Sequence, residues 1–108
     1  MTWRATLHAD AAAEIEAAAI WYDERRSGLG LQFLAAVDRA VEHACSWPLS
    51  GAAVPEVSSD LNVRWLPVDR FPYHLVYLLR DDVVHVVAVA HDHRRPGYWK
   101  GRDVEGDQ

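Results

Sequence analysis

Cysteine is nearly absent from this chain. With Cys45 alone no internal disulfide can form, and a reducing cytoplasm is the expected home. Cys45 itself falls in an apolar helical stripe and reads as a small core residue. No stretch approaches the ~18 to 20 consecutive apolar residues of a membrane span, so no membrane association is expected. The opening MTWRATLHAD holds no long apolar core and no cleavage-like site, so no signal peptide is expected. Neither CxxC nor HExxH occurs, and no metal or other cofactor is expected. Internal repeats and low-complexity tracts are missing too. Residues 1–102 read as one domain and residues 103–108 as an acidic C-terminal tail.

Positive charge is scarce and unevenly placed within a net charge of −5. Residues 1–60 carry nine acids against four bases, residues 61–102 seven bases against four acids, and the tail three more acids. An acidic whole is poorly steered to nucleic acid, because phosphate neutralisation supplies most non-specific affinity. The second half, with four of the six histidines, can still form a local basic patch.

What is present organises around residues 61–102. Two β-branched, apolar runs, Tyr73 to Leu79 and Val83 to Ala90, flank Arg80-Asp81-Asp82 and predict an antiparallel hairpin. A third strand is expected over Asn62 to Val68, before the turn Asp69-Arg70-Phe71-Pro72. Pro67 makes that strand an edge or irregular at its end. Near the N-terminus, alternation of Trp3, Ala5 and Leu7 with polar neighbours predicts one more short strand.

Between these lie two helices. Asp10 is a suitable N-cap, and Ala11, Ile15, Ala18 or Ala19, and Tyr22 recur at helical spacing. Arg25 and Arg26 suit its C-terminal end, and Gly28 its stop. A second stripe follows at once: Leu29, Phe33, Val37, Val41 and Ala44, widened by Leu34, Ala40 and Cys45. Trp47-Pro48 closes it, because the residue before proline avoids the helical region. So short a connection makes the helices antiparallel neighbours. Residues 48–60, PLSGAAVPEVSSD, read as loop. The expected fold is α+β, in the order β-α-α-β-β-β: a helical hairpin packed on a small antiparallel sheet. Periodicity does not say where the first strand inserts.

Five blocks in order carry a family resemblance: GLGLQFL at 28–34, Trp47-Pro48, VRWLPV at 63–68, FPYHLVY at 71–77 and AVAHDHRRPGYW at 88–99. Over roughly residues 3 to 102 the chain resembles the RelE/ParE superfamily of type II toxin–antitoxin toxins. The resemblance implies a small cytoplasmic toxin, neutralised by a cognate antitoxin whose segment wraps across helices and sheet. RelE-like members are ribosome-dependent mRNA endonucleases, and ParE-like members poison DNA gyrase by binding it. The pattern of His91, Arg94, Pro96, Tyr98 and Trp99 is more similar to the ParE-like branch. The RelE-like alternative implies catalytic roles for Arg64, His91 and Tyr98. It lacks its lysine pair here, since Lys100 is the one lysine, and Asp92 stands where a C-terminal arginine is expected. A third reading is a non-toxic module that binds an antitoxin and co-represses transcription.

The residues expected to contact target or antitoxin are Arg64, Tyr77, His91, Arg94, Arg95, Tyr98 and Trp99. Beside that stand plainer readings. Tyr73 and Tyr77 alternate on one strand face as packing residues do. Trp65, Tyr98 and Trp99 either form an exposed interface patch or fold back onto the helices. His91 and His93 share one side of a strand end, which begins a metal site without a third ligand.

Overall fold

Two helices, α1 (Ala9–Arg25) and α2 (Leu29–Ser46), meet across the three residues Arg26, Ser27 and Gly28. The break is built by one carboxylate. Asp23 Oδ1 accepts from the backbone N–H of Gly28 at 3.0 Å and of Gly30 at 3.1 Å. It thereby satisfies donors at the α2 N-terminus that would otherwise lack partners. Gly28 takes φ 90°, a left-handed conformation that suits glycine. At Gly30 the helices touch: a Cβ there would sit 2.5 Å from the Ala19 carbonyl oxygen. The alanine-rich surface of α1 permits that approach.

The computed structural model describes residues 2–54 and 62–102. Its strands are β1 (Arg4–Leu7), β2 (Ala52–Ala53), β3 (Val63–Pro67), β4 (Tyr73–Arg80) and β5 (Val83–His91). They form a five-stranded sheet in the order β1-β5-β4-β3-β2. The three late strands are antiparallel to one another as expected, and β1 lies on the far side of β5, parallel to it. The sheet is therefore mixed. The helical hairpin carries the chain from β1 at one edge to β2 at the other. Asp81 and Asp82 take φ 56° and 61°, the left-handed pair of a tight two-residue hairpin turn.

Some expectations need adjusting. The α1 cap is His8, whose Nδ1 accepts from the Asp10 N–H at 3.0 Å, and not Asp10. The helix starts early because His8 N still donates to Val86 O, keeping the chain on the sheet up to that residue. Leu34, expected on the buried stripe, is exposed, and Ala36 takes its place. The segment read as loop holds β2, which pairs Ala52 with Trp65 and Ala53 with Arg64. The rest of that loop, at 55–61, and the tail at 103–108 lie outside the described residues. Pro67 ends β3 beyond the reach of β2, so its missing N–H removes no ladder bond.

The sheet is covered on both faces. Leu75, Tyr77, Leu79, Val84, Val86 and Val89 pack against Ala11, Phe33, Val37 and Ala44 of the helices. On the other face Val63, Val76, Leu78, Val87 and Ala88 pack beneath Trp99. An irregularity in register makes this possible. Tyr77 pairs with Val86 and Val76 with Ala88, which leaves Val87 as an extra residue. Such a bulge lets Val87 and Ala88 both face Trp99. The segment after β5 thus forms a third layer.

Candidate functional site

Beyond Leu7, β1 stops and the outer edge of β5 continues unpaired. Edge groups of β5 are met there by side chains. Glu14, on the sheet-facing side of α1, accepts from Val89 N at 3.0 Å through Oε1. Its Oε2 accepts from the Tyr98 hydroxyl at 2.6 Å and pairs with Arg102 Nη2 at 2.9 Å. Arg102 Nη1 donates to Val87 O at 3.2 Å, and its Nε lies 3.5 Å from Asp10 Oδ2. The segment after β5 is thereby fastened to helix and strand together. Burial, followed by the hydrogen bond to Glu14 and its charge, pushes the Tyr98 hydroxyl far above its usual pKa. Burial works against the Arg102 charge, and the bond to Glu14 together with the charges of Glu14, Tyr98 and Asp10 outweighs it, so that pKa also rises.

Arg94 lies over the Tyr98 ring, its guanidinium carbon 3.9 Å from the centroid. This stacked pair is a ridge between two grooves. One groove, of about 540 Å³, lies on the face away from the helices. Its floor includes Trp65, Val76 and Ala90, and Arg94 and Arg95 stand at its rim. His74 Nδ1 and Asp92 Oδ1 are bonded at 3.0 Å beside it. The other groove, of about 710 Å³, runs between α1 and the end of β4 and β5, past Ala17, Trp21, Tyr73 and His91. Both are largely apolar in their lining and cationic at the shared ridge.

The expected site residues separate into three places. His91, Arg94, Arg95 and Tyr98 come together around the ridge. His91 Nδ1 accepts from His93 N at 3.1 Å, and its ring meets those of Tyr73 and His93. Among the described residues no group of three or more His, Cys, Asp or Glu side chains is placed to hold a metal ion. Trp99 is buried at 4% exposure under the ridge, on the sheet face opposite the helices, so it anchors the segment and offers no surface.

Arg64 and Tyr77 are elsewhere. They pair across β3 and β4, on the helix side of the sheet. Tyr77 is fully buried. Its hydroxyl donates to Pro48 O at 3.0 Å and accepts from Gly51 N at 3.1 Å. Burial raises its pKa, opposed by the Gly51 N–H and by Arg64. Arg64 Nη1 donates to Leu49 O at 3.2 Å and Gly51 O at 2.8 Å, and Nε to Asn62 Oδ1 at 3.1 Å. Together these two side chains hold the chain leaving α2, and the expected grouping of Arg64 and Tyr77 with the later residues is corrected. Gly51 is pinned closely enough that a Cβ would collide with the Tyr77 hydroxyl.

Glu14 was not anticipated as a site residue. Its signal was there: an acid three residues after Ala11 and four before Ala18, inside the apolar stripe. Arg102 carried no such signal, because nothing in the sequence fixes where the last turn returns.

No protein-family model and no curated protein matches the chain. A solved structure does. The chain is similar to a chain of the "Chromosomal ParDE TA system from P. aeruginosa", with a TM-score of 0.68 and 18% identity over 83% of this chain and 96% of that one. The fold is shared with that system. At that identity the likeness speaks for the architecture, which agrees with the resemblance carried by the sequence blocks.

Proposed function

We propose that the protein is the toxin of a type II toxin–antitoxin pair, that it is ParE-like, and that it works by binding a protein target of the DNA gyrase kind in the cytoplasm. The supporting observation is that, of the three side chains an RNA-cleaving relative would use, Arg64 lies apart from His91 and Tyr98, and all three are engaged. Arg64 is spent on carbonyls of the chain leaving α2. The Tyr98 hydroxyl is held by Glu14 with its proton firmly retained, which makes it a poor acid for a leaving oxygen. His91, at the end of β5, is separated from Arg64 on β3 by the intervening β4, where it pairs with Tyr73 and Arg64 with Tyr77. Two apolar grooves meeting at a cationic ridge suit recognition of another protein better than bond cleavage.

The same surface accounts for neutralisation. An antitoxin segment carrying apolar side chains and acids fits the groove beside α1 and crosses the Arg94–Tyr98 ridge, where its carboxylates meet Arg94 and Arg95. The exposed Trp21 at the mouth of that groove extends the apolar contact. No helix of the described residues is long and apolar enough to cross a membrane.

The deciding experiment is a paired assay on purified protein. Added to gyrase and relaxed DNA, it should block supercoiling or accumulate cleaved complexes, while mRNA on translating ribosomes stays intact. Codon-specific mRNA cleavage lost in Tyr98→Phe would replace this reading with the nuclease one. Antitoxin binding with neither activity would favour the co-repressor module. Expression without a partner gene should arrest growth, and a host indifferent at every expression level would remove the toxin assignment.

A further inference from the structure

The groove on the face away from the helices has a floor that strand register lays out in two rows. Trp65, Val76 and Ala88 form one row across β3, β4 and β5, and Pro67, His74 and Ala90 form the next. Paired residues in a ladder point to one face, and Val76 and Ala88 lie beneath Trp99, so both rows face away from the helices. Five of these six side chains are apolar, and the sixth, His74, stands in the middle of its row. His74 Nδ1 is 3.0 Å from Asp92 Oδ1, and its ring meets that of Trp65 edge-on at 5.5 Å between centroids. A carboxylate only accepts, so Nδ1 carries the proton and Nε2 of the neutral ring is left as an acceptor. Among the described residues nothing takes up that second nitrogen.

Trp65, His74, Ala90, Arg94 and Arg95 all line this one groove of about 540 Å³. The size falls within the range of about 300–1,000 Å³ in which a few placed polar groups orient a ligand over an apolar lining. Trp65 is 38% exposed within it. Arg94 is steadied by its stacking on Tyr98, which leaves its N–H groups able to donate in the guanidinium plane. Neither Arg94 nor Arg95 has an ion-pair partner among the described residues.

An apolar floor, one oriented acceptor and two unpaired guanidinium groups define what fits. The occupant needs an apolar side chain for the floor, an N–H for His74 and a carboxylate for the rim. An extended peptide carries all three within a few residues, because side chains two positions apart lie on one side and the backbone supplies the N–H. A nucleic acid strand fits less well. Two cations neutralise few phosphates, Asp92 stands beside them, and the whole chain carries a net charge of −5.

We infer that this groove is a docking site for an extended segment of a partner protein in which an apolar residue and an acid stand two positions apart. The apolar side chain covers Trp65 and Val76, a backbone N–H donates to His74 Nε2, and the acid meets Arg94 and Arg95. The inference rests on the reading of this surface as one that binds protein, and it gives the groove an occupant distinct from the segment beside α1.

The test is an NMR titration of the full chain with synthetic hexapeptides blocked at both ends. In the acidic probe leucine, leucine and glutamate alternate with serines. One twin carries lysine in place of glutamate, and another is the acidic probe with its backbone nitrogens methylated. The acidic probe should give saturable shifts at the Trp65 indole N–H and the Ala90 amide. The lysine twin should bind about tenfold more weakly, as should the acidic probe to the double variant Arg94→Gln, Arg95→Gln. His74→Phe should weaken the acidic probe several-fold and leave the methylated twin unaffected. Unmoved signals of Phe33 and Ala36 in the variants report an intact fold. The inference falls if no probe saturates, if acidic probe and lysine twin bind alike, or if the shifts appear at Trp21 and Tyr73 of the other groove. Tighter binding of a uridine hexanucleotide at the same signals would replace the peptide with a nucleic acid strand. Neither gyrase nor ribosome enters this measurement, so its failure and the failure of the toxin reading are told apart.

Discussion

The Tyr98 hydroxyl and Glu14 Oε2 are joined by a 2.6 Å hydrogen bond between residues 84 apart in sequence. Through it the first helix holds the turn that follows β5. The same carboxylate pairs with Arg102 and takes the Val89 N–H, so one side chain serves three segments. Removing it leaves a mostly buried guanidinium and an edge amide without partners. Glu14→Ala should cost about 2–3 kcal/mol, somewhat under the value for breaking a fully buried pair. Tyr98→Phe, which removes one charge-assisted bond, should cost about 1.5 kcal/mol. Urea denaturation measures both, and equal losses would mean that Arg102 draws nothing from Glu14.

All four tyrosines respond to burial in one direction. Tyr22, Tyr73, Tyr77 and Tyr98 each have a hydroxyl pKa raised, first by burial. A raised folded pKa means that the unfolded chain ionises first. Stability from this source is complete below about pH 10, the usual tyrosine value, and is lost as pH climbs through the folded values. Tyrosinate absorbance of the native protein should therefore lag behind that of the protein in denaturant, and unfolding should set in above pH 10. Coincident titration curves would contradict these environments.

Tyr77→Phe leaves Pro48 O and Gly51 N without their shared partner and should cost about 1–3 kcal/mol. Arg64→Ala should loosen the same stretch. In both variants amide exchange should quicken at residues 48–53 and stay slow in β5. An Arg64→Ala protein with unaltered exchange but no biological activity would move Arg64 from a structural to a contacting role.

Gly30→Ala sets two effects against each other. Alanine favours a helix by about 1 kcal/mol over glycine, yet its Cβ would meet the Ala19 carbonyl, and overpacking of that kind costs about 1–3 kcal/mol. The net outcome should be a lower melting temperature. A rise would show that the helices can part at little cost.

Much of the architecture could be read from residue pattern because burial is two-sided and periodic. Val83 to Ala90 is nearly all apolar since helices cover one face and Trp99 the other. The stripe of Phe33, Val37, Ala40 and Ala44 marked the inner face of α2, and Gly28 the break. Leu34 was misplaced because adjacent positions on a helix differ by about 100°, and a stripe drawn from hydrophobicity alone is too wide. The seat of β1 was illegible, because its parallel partner is chosen by how the helical hairpin crosses the sheet and not by anything within Arg4–Leu7. For the site, the cluster of His91, Arg94, Arg95 and Tyr98 follows from sequence proximity, and the structure keeps it together. Arg64 and Tyr77 lie apart from that cluster for a common reason. A polar group in a strand looks available until the loop that consumes it is seen, and that loop has no signature of its own.

Trp99 has a consequence for the gene. Because it roofs Val63, Val76, Leu78, Val87 and Ala88, the sheet is finished only when the ribosome reaches the last codons of the described chain. A nonsense or frameshift allele ending before that tryptophan would release a polypeptide with a bare valine-rich plane, prone to clump and to be degraded. Complete inactivation should thus be obtainable from lesions that spare every helix and every strand.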